Sequence, residues 1–189
     1  MYLFFDTETT GIPRNWKAPA SDLSNWPRLV QMAWVECEES GAITAHRQFI
    51  VRPDGFSIPP DATRVHGITT ERARLEGVAL KEALEAFIAA AGGTSLAIAH
   101  NLAFDEKVLG AEFLRAGLKD PLPDLSRLCT MRAATDYCRL PGRYGYKWPT
   151  LEELYRHLFD ETLEGSHDAA TDALACSRCF FELRRREVL

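Results

Sequence analysis

No stretch of this sequence reaches the roughly 18 consecutive apolar residues of a membrane-spanning helix, so no transmembrane segment is expected. A secretory leader is not expected either. The apolar run after Met1 is far shorter than a leader's hydrophobic region and meets an acid at Asp6. Internal repeats and low-complexity tracts are lacking as well. Cysteine is present without a pattern: Cys37, Cys129, Cys138, Cys176 and Cys179 are odd in number and lack the spacing of a disulfide framework, which fits a reducing compartment. Cys176 and Cys179 form one CxxC with no second pair, too few ligands for zinc, and read as small apolar residues on a helix face. These absences lead to the expectation of a cytoplasmic protein with no membrane contact. Positive charge is also short. With 27 acidic residues against 22 Lys and Arg, the net charge of −5 speaks mildly against a broad basic face for nucleic acid.

What is present suits one domain over residues 1–189, with 46% hydrophobic and 26% charged residues. The pattern predicts a strand at 2–8, a long loop at 12–27 broken by Pro13, Pro19 and Pro27, and strands at 28–37 and 45–51. Residues 53–69, with three prolines of their own, read as loop. Apolar residues at helical spacing predict helices at 79–92 and 101–117, each closed by glycine, with a short strand at 95–99 between them. A weak strand at 125–130 leads into a helix, Thr150 and Glu153 form a capping-box pattern, and a long helix occupies 167–186. Early strands followed by alternating helices and a strand give an α/β fold around a mixed sheet.

The informative stretch is "LFFDTETTG", residues 3–11, where two acids follow three large apolar residues. Alternation along a strand puts Asp6 and Glu8 on one face, with Thr7 opposed. Adjacent carboxylates repel unless a proton or a metal ion lies between them. Asp105, just after a strand in "IAHNLAFDEKVL", and Asp172, in the alanine-rich "HDAATDALACSRCFF", also stand in apolar surroundings. Singly, each acid reads as a cap or a solvated group. Four converging at a strand's carboxyl end call for hard divalent cations such as magnesium or manganese. His167 precedes Asp172 by five residues, about 140° around a helix, so it is expected ahead of that helix rather than on the same face. Histidine titrates near neutrality and suits a general base. The chemistry that uses such parts is phosphodiester hydrolysis by two metal ions about 4 Å apart, one activating water and the other steadying the departing oxygen.

Three ordered motifs, "FDTETTG", "AHNLAFDEKVL" and "HDAATDA", resemble those of the DEDD superfamily of 3′–5′ exonucleases, and His167, five residues before Asp172, places the likeness in its h subgroup. That group includes proofreading subunits of bacterial DNA polymerases. The resemblance implies a ribonuclease H-like fold with a five-stranded mixed β-sheet flanked by helices. It implies Asp6, Glu8, Asp105 and Asp172 as ligands of two Mg²⁺ or Mn²⁺ ions, with His167 as the catalytic base. It further implies that Thr7, Thr9, Thr10, Gly11, His66, His100, Asn101 and Phe104 receive the 3′-terminal nucleotide of single-stranded DNA or RNA, with 5′-mononucleotides as products. A polymerase or repair partner is a further implication. From the residues alone, His66 equally ties loop backbone together and Asn101 equally caps a helix.

Two segments depart from the family. Loop 12–27 is longer than usual, and its Trp16 and Trp26 read either as base-stacking rings or as packing that fixes the loop. "RLPGRYGYKWP", 139–149, is basic and aromatic and reads either as a phosphate-backbone contact or as a solvated loop. Rival readings are an RNA-trimming exoribonuclease on the same fold and a non-catalytic docking domain; the full set of five motif residues speaks against the latter.

Overall fold

The computed structural model describes residues 1–189. Its main sheet is built from β1 (Tyr2–Thr9), β2 (Leu29–Cys37), β3 (Ile43–Ile50), β4 (Leu96–Ala99) and β5 (Ser126–Cys129), in the spatial order β3-β2-β1-β4-β5. β2 runs antiparallel to β1 and β3, whereas β4 and β5 run parallel to β1. The sheet is therefore mixed and five-stranded, as expected. The helices are α1 (Pro60–His66), α2 (Thr70–Glu76), α3 (Leu80–Ala91), α4 (Leu102–Ala116), the short α5 (Thr130–Ala133) and α6 (Thr135–Cys138), α7 (Leu151–Phe159) and α8 (Ala169–Arg185). A small hairpin, β6 (Pro141–Gly142) with β7 (Gly145–Tyr146), projects between α6 and α7.

β1 lies at the centre because both its faces are apolar. Leu3 and Phe5 pack on one side with Phe87 of α3 and Phe113 of α4. Phe4 packs on the other with Phe180 of α8, the ring centroids 5.3 Å apart. Continuing that alternation, Asp6 and Glu8 fall on the α8 side and Thr7 on the α4 side. The small residues Ala169, Ala170 and Ala173 let the start of α8 lie close to the sheet. Cys176 and Cys179 are buried free thiols in its packed face.

One expectation fails locally. Residues 53–69 were expected to be loop, yet 60–66 form α1. Pro60 stands at the first helical position, where no N–H is needed and a fixed φ favours the helix; the helix then stops at Gly67 with φ 72°. The capping box at Thr150 and Glu153 opens α7 as expected. No helix is long and apolar enough to cross a membrane.

Candidate active site

The carboxyl end of β1 brings acids together from both layers of the fold. Asp6 and Glu8 come from the strand, Asp105 from the first turn of α4, and Asp172 from the first turn of α8. Ligand atoms of Glu8, His167 and Asp172 all lie within 4.8 Å of one another. Asp6 and Asp105 lie outside that trio, but Asp105 is close enough to raise the carboxyl groups of both Asp6 and Glu8; it stands on the α4 side, where Thr7 Oγ1 donates to its Oδ1 at 2.7 Å. Thr7, opposed to the two acids on its strand, thus orients the acid contributed by the other layer.

The electrostatics are strained. Burial pushes the Asp6 carboxyl well above its usual range, and Asp105, Asp172, Glu8 and Asp168 add to the rise. Burial, with Asp172 and Asp105 next in effect, raises Glu8 to about 8. Asp105 rises to about 7 through burial, against the lowering effect of the Thr7 hydrogen bond. Asp172 rises to about 6, again through burial, although the His167 backbone N–H donates to its Oδ2 at 3.0 Å. Its other oxygen, Oδ1, is buried and has no partner at all. A buried carboxylate oxygen without a donor, beside a second carboxylate and a histidine, fits a divalent cation.

His167 lies just ahead of α8, exposed, with φ 66°. Such a backbone is uncommon for a residue with a side chain and concentrates at functional sites. Asp168, the next residue, is the N-cap of α8: its Oδ1 accepts from the N–H groups of Ala170 and Thr171. Gln31 of β2 clamps this corner, donating to Asp168 Oδ2 at 3.2 Å and accepting from Ala169 N at 3.1 Å. The clamp sets where His167 and Asp172 emerge. Gln31 and Asp168 receive no role from sequence alone; an aspartate directly ahead of an alanine-rich helix is the cap signal that could have found Asp168.

The residues expected to receive a nucleotide divide into two groups. Thr9 Oγ1 donates to Gly11 O at 2.6 Å, Thr10 Oγ1 accepts from Arg28 N at 3.0 Å, and Gly11 has φ 149°, so this trio shapes the turn that leaves β1. His100 has both ring nitrogens engaged, with Thr130 Oγ1 and Pro149 O at 3.0 Å each, and burial lowers it to about 4. It braces the site and leaves no nitrogen for a ligand. The second group is open. His66 accepts from Ile68 N through Nδ1 at 3.1 Å, while its Nε2 has no partner. Asn101 stands at the start of α4 with φ 63°, and its side chain caps nothing. Phe104 is half-buried and faces Trp16, the ring centroids 5.7 Å apart.

Loop 12–27 is built, not loose. Asn15 N donates to Asn25 Oδ1, Asn25 Nδ2 returns a bond to Asn15 O, and Arg115 Nη2 donates to the carbonyls of Leu23 and Trp26. The two tryptophans differ: Trp26 is 3% exposed and donates to Pro19 O, whereas Trp16 is 54% exposed at the rim. A separate cavity of about 570 Å³, lined by Arg28, Arg52, Asp54, Lys81 and Arg115 among others, contains none of the motif acids.

Comparison with known proteins agrees with this fold. No curated protein sequence matches the chain. Among solved structures, the zinc-bound complex of E. coli exonuclease I with single-stranded DNA superposes with a TM-score of 0.77 at 22% identity, covering 98% of this chain and 41% of that one. The complex of the same enzyme with a dT13 oligonucleotide gives 0.75 at 23% identity, with coverage of 98% and 41%. Exonuclease I from Methylocaldum szegediense gives 0.75 at 21%, with coverage of 98% and 40%. The chain thus spans about two fifths of the length of these structures and shares their ribonuclease H-like fold. The family model RNase_T, described as Exonuclease, matches residues 3–180, and the chain belongs to that exonuclease family.

Proposed function

We propose that this protein is a metal-dependent 3′–5′ exonuclease that removes nucleotides from the 3′ end of single-stranded DNA and releases 5′-mononucleotides. The observation that carries the reading is the acid cluster at the end of β1, where burial and mutual repulsion raise the carboxyl groups and no lysine or arginine pairs with them. Asp6, Glu8, Asp105 and Asp172 would hold two Mg²⁺ or Mn²⁺ ions. When bound, such ions supply Lewis acidity that makes water nucleophilic near neutral pH and neutralises charge on the departing oxygen. The chain's own residues do the rest. His167 stands exposed within 4.8 Å of Glu8 and Asp172, placed to take the proton of an attacking water at a ring nitrogen. The hydrogen bond from its backbone to Asp172 keeps base and ligand in register. Thr7 holds Asp105 in place, and the Gln31–Asp168 clamp fixes the start of α8.

His66 Nε2, the Asn101 side chain and the Phe104 ring are the groups, uncommitted to the fold's own hydrogen bonds, that would receive the terminal nucleotide, with the turn at Thr9, Thr10 and Gly11 beside them. A terminal nucleotide splayed into such a pocket must be unpaired, which favours single strands. The DNA oligonucleotides held by the exonuclease I structures support DNA over RNA. Five free cysteines suit work in a reducing cytoplasm.

The test is degradation of 3′- and 5′-labelled single-stranded DNA and RNA with Mg²⁺ or Mn²⁺, beside Asp6→Ala and His167→Ala. Ladders that shorten from the 3′ end, and vanish with EDTA or in Asp6→Ala, support the proposal. Internal cuts, or undiminished cleavage by both variants, overturn it.

A further inference from the structure

The chain has 19 aromatic side chains, 10 Phe, 5 Tyr and 4 Trp, and nearly all are wholly or largely covered. The exposed ones are Trp16, Tyr144, Tyr146 and Trp148, at 54, 88, 52 and 58%. Three of these four rings stand on one small hairpin. Exposed rings so concentrated are costly in water unless something covers them, and their surroundings indicate what.

The hairpin is a built element. Pro141 pairs with Tyr146 and Gly142 with Gly145, Lys147 N donates to Leu140 O at 2.9 Å, and Gly145 turns with φ 121°. At Gly142 an added Cβ would come within 2.9 Å of Lys147 N, so the two strands close tightly. Its base is tied to the active site. The Pro149 carbonyl, next to Trp148, meets His100 Nε2 at 3.0 Å, and His100 directly precedes Asn101.

The charge around the rings is positive in an otherwise acidic protein. Arg143 lies over the Tyr144 ring at 5.1 Å and Arg132 over Trp148 at 5.6 Å. Arg139 donates only to the Asp136 backbone carbonyl, and no carboxylate pairs with any of these three arginines. From Arg139 to Trp148 the chain has no acidic residue. Flat rings interleaved with unpaired guanidinium groups suit a ligand that offers aromatic faces and phosphates together. Single-stranded nucleic acid does both, whereas a duplex conceals its base faces.

We infer that the 139–148 hairpin is a second binding surface for the substrate strand: it stacks unpaired bases on Tyr144, Tyr146 and Trp148 and pairs their phosphates with Arg139 and Arg143, upstream of the nucleotide being removed. This rests on the nuclease reading for its ligand and adds the device by which an acidic protein retains a polyanion between cleavage steps. It also accounts for single-strand preference away from the terminal pocket.

The experiment compares wild type with the triple variant Tyr144→Ala/Tyr146→Ala/Trp148→Ala and the aromatic-retaining triple Tyr144→Phe/Tyr146→Phe/Trp148→Phe. Binding of fluorescein-labelled oligo-dT, and of the same strand in a duplex, is followed by anisotropy in EDTA. Hydrolysis of the p-nitrophenyl ester of thymidine 5′-phosphate is followed in Mg²⁺, because this small substrate does not reach the hairpin. The inference predicts roughly ten-fold or greater loss of oligo-dT affinity in the alanine triple, near wild-type affinity in the phenylalanine triple, and equal ester hydrolysis in all three. Equal oligo-dT binding by wild type and the alanine triple overturns it, as does wild-type binding of the duplex as tight as that of the single strand; either result leaves the rings to a protein partner. Parallel loss of ester hydrolysis in the alanine triple also overturns it, assigning the hairpin to support of the site. Wild type that leaves the ester intact counts against the nuclease reading instead, and the anisotropy still decides the hairpin.

Discussion

A single buried acid on α4 and a cluster of four at the end of β1 are completed in opposite ways. Glu112 of α4 is 0% exposed, and its Oε1 accepts from Arg28 Nε and Leu29 N at 2.9 Å and pairs with Arg115 Nη1 at 3.0 Å. The chain supplies that acid's counter-charges through Oε1, although Oε2 is buried without a hydrogen-bond partner, and the result is a joint: it fixes loop 12–27 and the start of β2 onto α4. At the end of β1, Asp105 receives a hydroxyl donor and Asp172 a backbone donor, no lysine or arginine pairs with Asp6, Glu8, Asp105 or Asp172, and burial holds all four above their ordinary range. The same residue type is thus paired with arginine at one site and left without a counter-charge from the chain at the other, as the proposed metal site requires.

Variants at the two sites should diverge accordingly. The largest effect is expected at the open site. Asp6→Ala should lower the rate of nucleotide release by roughly 10³-fold or more if Asp6 holds metal as proposed, while the folded protein survives. His167→Ala should follow, at about 10²–10⁴-fold, with metal affinity retained; a rate within a few-fold of wild type would remove the histidine from the reaction. At the closed site the loss is in stability. Glu112→Ala leaves Arg28 and Arg115 without their partner and should cost about 3 kcal/mol in chemical denaturation, toward the low end for broken buried pairs because both arginines are partly exposed. An unchanged denaturation midpoint would show that the joint is dispensable.

The smallest expected effect is in pH dependence. A carboxyl group whose pKa is higher in the folded than in the unfolded state binds more protons when folded, so stability falls as pH rises from the unfolded to the folded value. With Glu8 moved from 4.5 to about 8 and Asp105 from 3.8 to about 7, metal-free protein should lose stability over that range. His100 works oppositely below its unfolded value of 6.5, because its folded value of about 4 makes stability fall as pH drops. Between pH 6.5 and 8 only the carboxyl effect remains. Thermal melts in EDTA should therefore show a decline there, on the order of 1 kcal/mol, that Mg²⁺ reverses. Glu8→Gln should reduce that slope.

The sequence disclosed the open site far better than the closed one. The four motif acids and His167 stand in short ordered motifs, and strand alternation alone placed Asp6 and Glu8 on one face. The spacing of His167 and Asp172 correctly put the histidine ahead of α8. The Glu112 joint was invisible because its partner Arg28 lies 84 residues away, and a glutamate in an amphipathic helix normally faces water. The structure also separates two tryptophans that composition could not: Trp26 plugs its loop and Trp16 leans on Phe104. His100 was expected at the nucleotide, but contacts with Thr130 and Pro149, 30 and 49 residues away, occupy its ring. Local signals also misled at α1, where prolines that normally break structure stand where a helix tolerates them.

The most direct measurement is calorimetric titration of Mn²⁺ into the metal-free protein near pH 7, with Asp6→Asn, Asp172→Asn and Glu112→Gln alongside. Wild type and Glu112→Gln should bind the ion and release protons, since raised carboxyl groups must ionise to coordinate it. Asp6→Asn and Asp172→Asn should lose that binding while melting no earlier than wild type in EDTA. Mn²⁺ binding of equal strength in all four proteins, or in none, would contradict the assignment of the β1 end as a metal-collecting site.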